Sequence, residues 1–342
     1  MIHPALAQYS TLCVYASLLV LGVAFVAFAV DLAQTRHRAL GDAEGMTTTS
    51  GGAAAGTTAS VGAAGGGTDT LVRTAAGSSA SPVAPAPGRR QAAGIGLALT
   101  RLASLLLLAA VALRGLSVMR APWGNLYEFL LTAAMLVVLV YVAMGLRQDL
   151  RWLGVFVTGL ALLVLGPALT VYTEAGQLMP SLRSYWLVVH VSIAILASAM
   201  FAIGAALSAL YLVQESGERR QSAGAALAGW RRTLLAAVPA SRVLDRMAYG
   251  LHALAFPLWT FTVIAGAVWA ERAWGRYWGW DPKEVWSFII WVVYAAYLHA
   301  RATTGWKVRH AAWIALVGFL CIVMNSFVVN KFMTGMHSYS GM

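Results

Sequence analysis

Apolar residues occur in eight long runs along the chain, separated by polar or charged segments. The runs lie at about 11–30, 95–118, 126–146, 152–172, 186–213, 247–270, 285–301 and 309–329. About twenty apolar residues in a helix cross the hydrocarbon core of a bilayer. The pattern therefore predicts an all-α integral membrane protein with about eight transmembrane helices.

The segment between the first two runs has a different composition. It is made mostly of Gly, Ala, Ser, Thr and Pro, which bury too little apolar surface to fold. The first run lacks a small-residue cleavage site after it, so we expect a retained anchor. We predict a transmembrane anchor over 1–40, a flexible cytoplasmic linker over 41–93, and a seven-helix membrane domain over 94–342.

Composition and charge agree with a multi-pass protein. Of 342 residues, 59% are hydrophobic and 11% are charged, and the mean hydropathy is +0.70. Soluble domains carry about a quarter charged residues. The net charge of +11 would favour nucleic-acid binding in a soluble protein, but here Lys and Arg lie in loops between apolar runs. The positive-inside rule explains these basic residues and predicts that both termini lie outside. We therefore expect the chain to contact membrane lipid and to have no nucleic-acid partner.

The loop between the sixth and seventh runs is rich in aromatic residues. It reads WGRYWGWDPKEVW, from Trp274 to Trp286, and the charge bias places it on the outer face. Two interpretations stay open: an interfacial aromatic belt, or a platform for a flat ligand. The glycines favour the platform because they keep the backbone close to a ligand, and Asp281-Pro282 suits the start of the next helix.

Two histidines are predicted on the same side as this loop. His190 lies about one turn inside the outer end of the fifth run, and His337 follows the last run. Two facing neutral imidazoles fill both axial positions of a haem iron. Arg183, Arg276 or Lys283 are candidates to pair with the haem propionates.

The other histidines are sorted by depth. His299 lies thirteen residues beyond Trp286, about 20 Å along a helix, in the inner half of the bilayer, where it needs a partner or a ligand. No other histidine is an obvious second ligand at that depth. His252 is expected at the inner interface. The remaining histidines, His3, His37 and His310, are expected to be solvated. The two cysteines, Cys13 and Cys321, lie in apolar runs and are expected to be structural.

The segment WGRYWGWDPKEVWSFIIWVVYAAYLHAR resembles the signature of the CcsA family of System II cytochrome c biogenesis, also called ResC, and CcsB in some actinobacteria. Four further pieces resemble the same family. They are APWGNLYEFL at Ala121–Leu130, LMPSLRSYWLVVHV at Leu178–Val191, FTVIAGAVWA before the tryptophan-rich loop, and the terminal MHSY.

The resemblance implies roles for particular residues. His190 and His337 match an external pair of haem ligands, and His299 matches a transmembrane ligand. The external WWD segment, 274–284, carries the positions that match the family's haem-binding element: Trp274, Gly275, Trp278, Trp280, Asp281, Pro282, Lys283 and Glu284. Tyr277 stands where many members carry tryptophan, a mild change for a stacking surface.

The resemblance also implies an activity in the plasma (inner) membrane. Ferrous haem b is relayed from an inner site to the external bis-histidine site, and a CcsB (ResB) partner supplies the missing inner histidine. In complex with this partner, the chain then acts as a cytochrome c synthase, which joins the haem vinyl groups to the CxxCH thiols of an apocytochrome c. No catalytic acid is assigned: Asp281 and Glu284 are candidates, but helix capping and a salt bridge with Lys283 explain them equally well.

Three alternatives stay open from the sequence. One is a haem-delivery or ligase protein of System I, whose members share a WWD motif but differ after it. Another is a b-type electron-transfer cytochrome, which usually carries histidine pairs within single helices, whereas no run here carries two. The third is a transporter without a prosthetic group.

Overall fold

The computed structural model describes residues 3–49, 91–178, 182–227 and 229–337, and within this part of the chain all regular structure is helical. A 3-10 turn, Arg151–Leu153, precedes the fourth helix, and a π-helical turn, Met324–Val329, joins the last two. The ten helices are α1 Pro4–Thr49, α2 Gln91–Val118, α3 Leu126–Met144, α4 Gly154–Thr170, α5 Tyr185–Ser222, α6 Gly229–Ala237, α7 Ser241–Trp274, α8 Pro282–Ala302, α9 Val308–Val323 and α10 Asn330–Phe332.

Eight helical segments are long and apolar enough to cross a membrane, and they coincide with the eight predicted runs. The prediction of an all-α multi-pass membrane protein is therefore confirmed. Two of the helices are longer than a span requires. With 38 and 34 residues, α5 and α7 reach about 57 and 51 Å, well beyond a hydrocarbon core of about 30 Å.

The boundaries of the predicted linker differ from the helix boundaries. Helix α1 continues to Thr49, and α2 begins at Gln91, so both ends of the 41–93 segment are helical. Ala, Glu and Met in the stretch after Arg38 are good helix formers, which explains why the anchor helix continues. The rest of the predicted linker, 50–90, lies outside the described residues.

The helices pack around two main clusters of buried side chains. Helices α1 to α4 enclose one, with Leu21, Leu107 and Leu131 at its centre. Helices α3, α4, α5, α7, α8 and α9 enclose the other, in which the rings of Phe201 and Tyr294 stack with centroids 3.7 Å apart. The outward faces of the helices are apolar and exposed, as lipid-facing surfaces are.

A buried ion cluster fixes the loop between α2 and α3. Glu128, in the first turn of α3, pairs with Arg114 at 3.0 Å and with Arg120 at 2.8 Å, and neither Glu128 nor Arg114 is exposed. The Nε of Arg120 also donates to the carbonyl of Gly176, 2.9 Å away. The cluster therefore ties this loop to the segment after α4, and both approach the cavity described below.

His252, expected at the inner interface of the membrane, has a fully buried side chain. It lies in α7, eleven residues after the start of the helix at Ser241, where α7 packs against α5. The imidazole lies 5.9 Å from the ring of Phe201 and 4.9 Å from that of Tyr297, and its Nε2 is 3.3 Å from the hydroxyl of Ser208. The two cysteines are free and half-buried.

Candidate functional site

A cavity that is partly open to solvent lies where α7 ends and α8 begins. Its walls come from α5, α7, α8, the π-helical turn, the α2–α3 loop and the last described residues. Both histidines predicted as an external pair line it. The walls also include aromatic rings and a few polar side chains: Trp123, Phe129, Trp259, Trp269, Tyr277, Trp278, Lys283, Glu284, Ser287, Asn325 and Asn330.

His190 is oriented by the backbone of the neighbouring helix. Its Nδ1 lies 2.9 Å from the carbonyl oxygen of Thr262 in α7. A carbonyl only accepts hydrogen bonds, so Nδ1 carries the proton and Nε2 keeps its lone pair. This is the tautomer that a metal-binding histidine uses when its other ring nitrogen is held by an acceptor.

A close approach of two helices makes room for this imidazole. A Cβ added at Gly266 in α7 would lie 2.7 Å from Cε1 of His190 and 2.8 Å from its Nδ1. Any larger residue at this position would therefore displace the ring. One turn further along α7, the indole of Trp269 lies nearly parallel to the imidazole of His190, with centroids 6.1 Å apart.

His337 is oriented by a side chain instead. Its Nδ1 lies 2.7 Å from Oδ2 of Asp281, and the backbone N–H of Met336 donates to Oδ1 of the same carboxylate at 2.6 Å. The edges of two indoles complete its surroundings, Trp274 at 4.8 Å and Trp269 at 5.7 Å between centroids. Because a carboxylate only accepts hydrogen bonds, Nδ1 of His337 carries a proton in this contact.

These contacts also set the charge of Asp281. Its burial alone would raise the pKa of the carboxyl group, but the hydrogen bonds from His337 and from the N–H of Met336 outweigh burial and lower the pKa below 3.8. The carboxylate is therefore ionised at neutral pH, as an acceptor for both donors.

The tryptophan-rich loop does not form a single flat surface. Gly275 ends α7 with a φ of +71°, a left-handed conformation that suits glycine. The rings of Trp278 and Trp280 then stand at 89° to one another, 5.9 Å apart. Trp278 lines the cavity, whereas Trp280 is 71% exposed and has a φ of +58°.

The charged residues of the loop begin α8. Asp281 and Glu284 form a capping box around Pro282, and Oε2 of Glu284 also accepts from the N–H of Gly279 at 2.8 Å. The capping interpretation of the two carboxylates is thus the one observed. Within the described part of the chain, Lys283 forms no ion pair with either of them; its Nζ donates to Oδ1 of Asn330.

His299 lies apart from this cavity. It is exposed on α8, on a different face from the buried Tyr294 and Tyr297, and its Nε2 lies 3.5 Å from the hydroxyl of Thr303. His252, in contrast, is buried and contacts the ring of Tyr297, with ring centroids 4.9 Å apart.

Sequence reasoning assigned no role to three residues that shape the site. These are Trp269 between the two histidines, Thr262, whose carbonyl orients His190, and Gly266, which makes room for it. All three belong to FTVIAGAVWA, a segment that carried the family resemblance without a function. Two proposed propionate partners, Arg183 and Arg276, are exposed and do not line the cavity.

The fold and the cavity define a class: a multi-pass helical membrane protein with two oriented histidines in an aromatic-walled cavity near one end of the bundle. Residues 123–337 match the model of the family described as "Cytochrome C assembly protein". The chain belongs to this family and has a role in cytochrome c biogenesis.

The chain is similar to several cyanobacterial proteins named "Cytochrome c biogenesis protein CcsA". It is 36% identical to that of Gloeobacter violaceus over 266 residues, covering 64% of this chain and 78% of the relative. It is 31% identical to that of a Picosynechococcus species over 303 residues, covering 74% and 89%.

Among solved structures, the fold is similar to that of "Cytochrome c Heme Lyase CcmF". The TM-score is 0.60 at 15% identity, over 94% of this chain and 46% of the other, so this chain spans just under half of that protein. At this identity the likeness concerns the fold alone.

Proposed function

We propose that this chain binds ferrous haem b in the cavity, with His190 and His337 as axial ligands, and attaches it to an apocytochrome c. One observation carries the proposal. Both imidazoles line the same cavity, and each is oriented through Nδ1 by an acceptor, as histidine ligands of metals commonly are. The chemistry of this donor set fits haem, and the aromatic walls fit its faces.

The residues of the cavity contribute position rather than acid–base chemistry. Haem supplies the two vinyl groups; each CxxCH thiol adds across one of them, its sulfur bonding one carbon and its proton going to the other, without net oxidation. Two axial histidines shield the iron from oxygen. Holding the reactants in place supplies a large part of such a rate acceleration. The histidine of CxxCH then replaces one of the two ligands, which releases the product.

An inner haem position on α8 fits the same proposal. His299 is exposed on the lipid-facing surface of the described bundle, and a polar residue inside a membrane needs a partner. A CcsB (ResB) protein packing against this face would bring the second histidine. Haem bound there would pass to the outer cavity, so the complex would work as a relay.

The orientation in the plasma membrane follows from charge. The last turn of α5 carries Arg219 and Arg220, and α6 carries Arg231 and Arg232. Arg301, Lys307 and Arg309 lie where α8 ends and α9 begins. Such loops face the cytoplasm. The cavity, at the opposite ends of these helices, then faces outward, where apocytochromes receive haem.

The test is the absorption spectrum of the purified chain with haem. The parent should show a six-coordinate low-spin haem, His190→Ala and His337→Ala should each lose it, and added imidazole should restore part of it by filling the empty position. His310→Ala, an exposed histidine far from the cavity, is the control. A low-spin spectrum that persists in both cavity variants would overturn the assignment of the ligands.

A further inference from the structure

Lys283 is a cation in the wall of the cavity without an anionic partner. It is the one Lys or Arg among the described residues that line the cavity, and no carboxylate in the described part of the chain lies within ion-pair distance. The two nearby carboxylates are engaged elsewhere: Asp281 by His337 and the N–H of Met336, Glu284 by the N–H groups of Gly279 and Asp281.

Neutral groups hold this ammonium group in position. Its Nζ donates to Oδ1 of Asn330, and Nδ2 of Asn330 in turn donates to the carbonyl of Ser326 at 2.9 Å. The π-helical turn Met324–Val329 makes this possible, because it brings Asn325, Ser326 and Asn330 to the same cavity wall. The lysine is therefore fixed by a polar wall whose members carry no charge.

The hydroxyl of Thr262, which belongs to the cavity lining, is buried without a hydrogen bond within the described structure. A hydroxyl can donate a hydrogen bond to an anion. Buried polar groups are normally satisfied, and an ionised side chain near the membrane interior normally faces a counter-charge or a ligand. The ammonium group of Lys283 and this hydroxyl thus indicate an anionic ligand in the cavity.

We propose that Lys283 and the Asn330 wall form a carboxylate subsite that takes a propionate of the haem and so fixes which edge of the porphyrin enters first. The inference rests on the proposed haem function. In haem b the two propionates lie on the edge opposite the two vinyl groups. Tyr277 and Trp278, in the loop before α8, line the same cavity as Lys283, which lies in the first turn of α8.

This orientation suits the reaction. With a propionate at Lys283, the vinyl edge is left toward the tryptophan-rich loop, where the thiols of an apocytochrome arrive. The reverse orientation would place carboxylates against the indole of Trp278 and leave the ammonium group unpaired. A charge-assisted hydrogen bond to a buried carboxylate contributes a factor of roughly 10 to 100 in affinity.

The experiment compares two probes, haem and its dimethyl ester, in which both propionates are methylated. Each is titrated into the purified full chain in detergent, and the dissociation constant is read from the Soret band. The parent should bind haem about 10-fold or more tightly than the ester. Lys283→Met should bind the two probes with similar affinity, because removing the ammonium group weakens the binding of haem, whose propionates are free, but not that of the ester. Lys283→Arg should recover the preference for haem.

The control is Lys331→Met, which removes an exposed lysine next to Asn330 and should keep the parent's preference. A Lys283→Met protein that discriminates between haem and ester as the parent does would overturn the subsite, as would a parent that binds both equally with a low-spin spectrum. A parent that gives no low-spin spectrum with either probe would instead overturn the bis-histidine site itself, and the subsite with it.

Discussion

Asp281 links the start of α8 to the turn that follows α10, since its Oδ2 lies 2.7 Å from Nδ1 of His337. Groups that orient a histidine ligand typically change metal affinity by about 10- to 100-fold when removed. In Asp281→Asn the carboxylate charge is lost, so we expect outer-site haem affinity to fall by about this factor. Titration with haem measures this affinity. An unchanged dissociation constant would show that Asp281 serves only to cap α8.

The fit between Gly266 and His190 gives a second prediction. In Gly266→Ala the new methyl group meets the imidazole at less than 3 Å, so the ring must move away from Thr262. We expect the low-spin haem spectrum to weaken while the helix itself forms normally. Gly250→Ala, in the same helix with open space around it, is the control and should keep the spectrum. Equal spectra from both variants would contradict the packing argument.

A third prediction separates the two proposed haem positions. His299 lies about 20 Å along α8 from Trp286, so one haem cannot reach both His299 and the outer cavity. His299→Ala should lower the haem content of the complex with its partner but leave the spectrum of the remaining haem unchanged. Trp278→Ala should let haem arrive but bind weakly at the outer site. Full haem content and normal cytochrome c maturation in His299→Ala would rule out the relay.

The buried ion cluster predicts a large loss of stability. Glu128→Gln leaves Arg114 buried without its counter-charge, which costs about 3–5 kcal/mol of unfolding free energy. The exposed pair of Asp149 and Arg151 provides the control, since Asp149→Asn should cost about 1 kcal/mol or less. Unfolding of both variants in mixed detergent micelles gives the comparison. Similar losses would mean that the cluster is hydrated and contributes little.

Topology is the fifth prediction. The positive-inside rule places the α8–α9 connection in the cytoplasm and the C-terminus outside. A reporter fused after His310 should therefore report an inner position, and one fused after Met342 an outer position. The reverse pattern would put the cavity on the cytoplasmic face and exclude attachment of haem to an exported apocytochrome.

The number and position of the helices could be predicted because a membrane span needs a long apolar run, and such runs are visible along the chain. The pairing of His190 with His337 followed from placing both on one side of the membrane. What orients them could not be predicted: the carbonyl of Thr262 and the indole of Trp269 come from α7, and only helix packing brings them to these rings.

The burial of His252 could not be predicted for a related reason. An apolar run shows where a helix crosses the bilayer but not which of its faces packs against other helices, and His252 lies on the face of α7 that contacts Phe201 of α5. The capping roles of Asp281 and Glu284, in contrast, were among the sequence interpretations, because Asp-Pro followed by Glu is a local signal that needs no tertiary contact.

The two cavity histidines are held by unequal means. His190 belongs to a helix of 38 residues packed along α7, whereas His337 lies in a turn beyond α10 and contacts the carboxylate of Asp281. On the proposed function, displacing His190 would rearrange packed helices, whereas displacing His337 would rearrange a turn. We therefore expect the histidine of an incoming CxxCH segment to exchange with His337, while His190 stays bound.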